Sequence, residues 1–184
     1  MATESEKIEL SEDELREIAG YAADCARRAL ALFEQHRPAD PRPREAIDAA
    51  YAFAGGGRRT AALRQSAWAA YRAAREAGVP AAIDAARAAS HAAGAAYLHP
   101  LANAHQVKHV LGAAAHAARA EELASAQDGA SAQDGASGTD GTLDWARHHA
   151  PPAVTAVLGR LPAAPPGGGR VGELMRDLGA ALRA

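Results

Sequence analysis

Bulky side chains are what this sequence has least of. Its 184 residues include two Trp, four Tyr and two Phe. No β-branched or aromatic run alternates with period two, which argues against a fold built on strands. Cysteine is nearly absent too: the single Cys25 excludes an intramolecular disulfide and any cysteine-pair metal site. Lysine occurs only at Lys7 and Lys108, and with 20 Lys+Arg against 22 Asp+Glu the formal charge is −2. Such a chain lacks the concentrated basic surface that nonspecific nucleic-acid binding needs, so nucleic acid is not an expected partner. Long apolar runs are missing as well, because Arg, Asp and His interrupt every alanine-rich stretch, so no membrane span is expected. The polar, acidic start "MATESEKIELSEDELREIAG" is unlike a secretory leader, and a cytoplasmic location is the expectation.

Alanine is what fills the chain, supplying most of its 48% hydrophobic residues. Alanine is the best helix former and buries little area, so the expected core gains its stability from close helix approach. The expected fold is all-α, a compact array of about seven to eight helices with a flexible Gly/Ser/Asp-rich loop.

Residues 1–10 read as a disordered arm, and 11–184 as a single helical domain. Ser11 and Glu14 form an S-x-x-E capping box that opens a helix reaching about His36. Cys25 lies on its apolar stripe with Leu15, Ile18 and Ala22, which marks a buried structural thiol. Further helices are expected over about 43–54, 59–77, 80–97 and 101–124, punctuated by "GGG", Gly78 and His99-Pro100. The tandem hexapeptide SAQDGA places the flexible loop at 125–141. Three shorter helices follow, the last over about 170–183. "AIDAA" at 46–50 and 82–86 suggests an α-hairpin repeat of about 36 residues.

Five of the eight histidines fall between 91 and 116. On a continuous helix His105, His109 and His116 share an arc of roughly 40°, bordered by Lys108 and opposite the aliphatic Val107, Val110 and Leu111. Histidines at i and i+4 can grip a metal, but no HExxH motif is present. His105 and His109 are the metal candidates, and no cofactor is expected. Asp84, Arg87 and His91 stand in one row of the fourth helix, and Arg44 and Asp48 hold an i,i+4 relation on the second. These residues suggest a polar cluster between the second, fourth and fifth helices, with His91 facing His105 or His109. Trp68, with Arg64 and Arg72 near it on one helix, reads as packing plus a cation–π contact.

"PRPREAIDAAYAFAGGGRRTAALRQSAWAAYRAAREAG" and "AARAASHAAGAAYLHPLANAHQVKHVLGAAAHAARA" together resemble the immunity-protein-5-like family of alanine-rich helical bacterial proteins, frequent in actinobacteria. The markers are Arg44 with "AID", His91, His99, Gln106 and His109. The resemblance implies a cytoplasmic all-helical protein that neutralises a cognate protein toxin by binding and occluding it. It brings no catalytic residue with it. The candidate binding residues are Arg44, Asp48, Asp84, Arg87, His91, His99, His105, Gln106, Lys108 and His109. The alternative is a small-molecule or metal-dependent enzyme using the histidines between helices. Self-association into a homo-oligomer is compatible with either.

Overall fold

The computed structural model describes residues 6–129 and 141–184. Among them are eight α-helices and no strand: α1 (Glu12–Glu34), α2 (Arg42–Ala54), α3 (Ala61–Glu76), α4 (Pro80–Gly94), α5 (Val107–Gln127), α6 (Thr142–His149), α7 (Pro152–Arg160) and α8 (Gly169–Arg183). The helix starts follow local chemistry. Ser11 accepts from the Glu14 amide at 3.1 Å while Glu14 accepts from the Ser11 amide at 2.8 Å, closing the capping box of α1. Thr60 caps α3 in the same sense, and Pro43 and Pro80 sit in the first turns of α2 and α4, where the missing N–H costs nothing.

The centre of the array is α4. Its alanines at 81, 82, 85, 86, 88, 89, 92 and 93 are all buried, so the helix is apolar around most of its circumference. With only methyl groups between backbones, α1, α2, α3 and α5 all pack directly on it. The larger side chains fill the gaps from α1, α2 and α5: Ile18, Phe33, Ile47, Phe53, Val107 and Leu111 are buried. Cys25 is buried on α1, and burial pushes its thiol well above the usual range.

Three boundaries differ from the sequence reading. The fifth helix starts at Val107 rather than near 101, because the preceding backbone is engaged elsewhere. Ile8 donates its amide to Pro100 O at 3.1 Å and Ala102 donates to Glu6 O at 2.7 Å. Residues 6–10 of the expected arm therefore lie against 100–102 in this structure. Asn103 then accepts from the His105 amide at 2.8 Å and starts a 3-10 turn over Ala104–Gln106. At the other end α5 continues to Gln127, into the segment expected as loop. Most of the SAQDGA repeat lies outside the described residues.

The C-terminal part closes over α5. Arg183 of α8 reaches Leu158 O at 3.1 Å, and Arg176 donates to Pro165 O and Gly167 O at 3.0 and 2.8 Å. Those two bonds fold the 163–168 linker back along α8. The fit requires Gly172, since a Cβ there would land on Gly167 O.

Candidate functional site

The polar cluster forms between α4 and α5, and α2 is not part of it. Asp84 of α4 faces His116 of α5, whose Nδ1–H donates to Asp84 Oδ1 at 2.6 Å. The His91 ring stacks on His116 with centroids 5.0 Å apart and planes 20° from parallel. His91 lies this close to α5 because residue 112 is glycine: a Cβ there would stand 2.7 Å from His91 Nδ1 and 2.9 Å from Cγ. One turn away, His109 donates through Nδ1 to Gly94 O at 3.1 Å.

These rings differ in charge preference. Burial lowers the His91 pKa to about 3, and the charges of His116, His109, Lys108 and Arg87 add to the effect. His109 falls to about 4, first through burial and then through Lys108, against the opposing bond to Gly94. Both rings are therefore neutral at neutral pH. In neutral His109, Nδ1 carries the proton and Nε2 is an acceptor.

His91 and Lys108 form a partition between two cavities. On one side a cavity of about 450 Å³ is walled by Arg87, His105, His116 and, across from them, Pro165, Val171 and Met175. On the other a cavity of about 430 Å³ is bounded by Arg64, Trp68, Tyr71, Tyr97, His99 and His109. Among the described residues neither wall contains an Asp or Glu.

The expected site residues thus sort into groups. Asp84, Arg87, His91, His105 and Lys108 gather on the first side, while His99 and His109 gather on the second. Arg44 and Asp48 are elsewhere: Arg44 makes a two-bond pair with Glu34 of α1, both bonds 2.8 Å, and Asp48 is exposed. Gln106 serves the backbone, accepting from the His99 amide at 3.0 Å. His91 meets His116 rather than His105 or His109. The metal pair does not converge either, since His105 and His109 open onto different cavities. Among the described residues no group of three His, Cys, Asp or Glu could hold a metal ion.

Three features escaped sequence reasoning. His116 was placed on the stripe but not among the candidates, and it is the ring that Asp84 holds. The linker and α8 supply a whole cavity wall, which no local pattern announces. Trp68 is not packed: it is 59% exposed and meets the 39% exposed Tyr71 edge-on at 6.0 Å, while Arg64 lies over Tyr97 instead, at 4.5 Å. A signal for Trp68 existed. Taking Leu63 as the centre of α3's buried face, Ala70 and Ala74 fall within about 20° of it, and Trp68 lies about 140° away.

No curated protein and no solved structure matches the chain. The profile of the Imm-5 like putative immunity protein family matches residues 9–137, a span that carries α1 to α5 with Asp84, His91 and His116, and the chain belongs to that family.

Proposed function

We propose that this protein neutralises a cognate toxin in the cytoplasm by binding it, with the α3 face around Trp68 and Tyr71 as the contact surface. The observation that carries the surface is the exposed Trp68–Tyr71 pair at the mouth of a cavity. A chain so poor in aromatics places two of its largest rings outside the core it would otherwise use them to fill. Trp, Tyr and Arg are the residues that most often carry binding energy at protein interfaces, above all where a pocket receives a partner side chain. Arg64, Lys108, His99 and His109 border this pocket, with no carboxylate among the described residues lining it, so the matching toxin surface is acidic with an apolar anchor. Occlusion follows from size, since a stable contact covers about 800 Å² on each partner and masks whatever function lies beneath.

The test is binding to the product of a neighbouring toxin gene, measured by calorimetry on purified proteins. Trp68→Ala and Tyr71→Ala should each weaken the complex by about 2 kcal/mol, roughly thirtyfold, with the melting temperature unchanged. Wild-type affinity in both variants would remove this surface from the proposal. Absence of a complex with the adjacent toxin, or self-association through the same face, would overturn the toxin-binding reading itself. The enzyme alternative draws on one feature, the Asp84–His116 pair, which lies on the other side of the partition.

A further inference from the structure

The cavity between α4, α5 and α8 has a chemistry of its own, separate from the α3 face. Its two charged wall residues, Arg87 and Lys108, are both exposed, and neither forms an ion pair or hydrogen bond among the described residues. Other arginines, such as Arg42, Arg44, Arg160 and Arg170, hold carboxylates at 2.6–2.8 Å. Asp84, three residues before Arg87 on α4, is occupied by His116 Nδ1 at 2.6 Å. That bond fixes the tautomer and orientation of the His116 ring, leaving Nε2 without a hydrogen-bond partner among the described residues. His105 adds a third imidazole at the rim. Opposite these groups the wall is apolar, made by Val171, Met175, Ala164 and the two prolines 165 and 166. The side chain of Arg176 secures this wall through Pro165 O and Gly167 O.

A cavity with two unpaired cations and oriented imidazoles on one wall and aliphatic side chains on the other suits a particular class of ligand. Its volume of about 450 Å³ lies within the roughly 300–1,000 Å³ typical of small-molecule sites. We propose that the α4–α5–α8 cavity binds a small organic anion, a carboxylate or phosphate monoester. Its charged head meets Arg87, Lys108 and His116, and its apolar body lies on Val171 and Met175. The head gains charge-assisted hydrogen bonds from side chains without another partner among the described residues, and the Asp84–His116 pair presents a ring already oriented for it. Carboxylate and phosphate share this chemistry, and the choice of head group can be read by experiment.

The experiment is a titration of the full chain followed by the histidine Cε1–H resonances in NMR. Phenyl phosphate and benzoate carry the two candidate heads on one apolar ring. Inorganic phosphate supplies the head alone and benzyl alcohol the body alone. Saturable shifts at His105 and His116, with His148 and His149 still, are expected from phenyl phosphate or benzoate, and the tighter of the two identifies the head. Inorganic phosphate and benzyl alcohol should each bind about tenfold more weakly or worse. Arg87→Gln and Lys108→Met remove the charge at exposed positions and should each cost about tenfold in affinity. Met175→Ala should weaken phenyl phosphate and leave inorganic phosphate unaffected. Trp68→Ala should change nothing, which separates this site from the toxin-binding surface. No saturable shift with either phenyl-bearing anion would overturn the proposal, and so would affinities that survive both Arg87→Gln and Lys108→Met.

Discussion

Gly112→Ala puts the histidine stack under the most direct stress. In an ordinary helix interior this change stabilises by about 1 kcal/mol, because alanine restricts the unfolded chain and favours the helix. Here the new Cβ would stand 2.7 Å from His91 Nδ1, 2.9 Å from Cγ and 3.1 Å from Cε1. Cγ is one bond from the His91 Cβ, so the ring escapes only by turning about χ1 and leaving His116. Overpacking of this kind costs about 1–3 kcal/mol, and the lost ring contact adds about 0.5–1. Set against the propensity gain, the net expectation is a loss of about 1–2 kcal/mol. The assay is urea unfolding at pH 7.5 of four proteins: wild type, Gly112→Ala, His91→Ala and the double variant. With His91 truncated the clash is gone, and Gly112→Ala should then stabilise by up to about 1 kcal/mol. The coupling between the two sites should be about 2–3 kcal/mol. A Gly112→Ala effect of the same sign and size in both backgrounds would refute the reasoning.

The same rings set an acid sensitivity above the range where carboxylates titrate. His91 and His109 have folded pKa values of about 3 and 4 against 6.5, so below about pH 6.5 the unfolded chain takes up protons that the fold refuses. Their contribution is complete above that pH and is lost as pH falls toward 4 and 3; between pH 7 and 5 the cost is about 2 kcal/mol for each, read from urea midpoints. The lowered carboxylates Glu14, Asp40, Glu76 and Glu122 act only below their usual range near 4, so a stability flat from pH 7 to 5 would contradict the neutral His91 and His109 rings. Gly172→Ala, whose Cβ would land on Gly167 O, should release the 163–168 linker from α8 and lower stability by about 1–3 kcal/mol. Hydrogen exchange should show the loosening confined to α8 and the linker, and uniform change across α1–α4 would argue against it.

The helices were legible because their signals are local. A capping box, prolines in first turns, glycines after last turns and an apolar stripe all act within one or two turns of chain, and α1 to α4 begin within two residues of where those signals put them. The fifth helix shows the limit. Nothing near Leu101 says that Glu6 and Ile8 will take up the backbone of 100–102, so a helix was expected where a paired strand-like segment stands. That pairing moved His105 off the α-helix into a 3-10 turn and broke the three-histidine stripe on which the metal reading rested.

The site was legible as composition and not as geometry, and the two copies of "AIDAA" show why. Each lies early in a helix, and in each the alanines before and after the aspartate are largely buried. Helical periodicity treats Asp48 and Asp84 alike. What separates them is the neighbour. The exposed side of α2 meets no helix, so Asp48 stays in solvent, whereas α5 runs beside Asp84 and offers His116 at 2.6 Å. A half-buried aspartate is costly unless it is hydrogen-bonded, so His116 is what makes that position tolerable for an acid. Having accepted that bond, Asp84 no longer neutralises Arg87, which stands three residues on along the same helix. Arg87 is left without an ion pair among the described residues. Asp84→Asn would leave the geometry nearly intact while removing the charge, and an affinity for phenyl phosphate that rose in that variant would show Asp84 still opposing the anion at a distance.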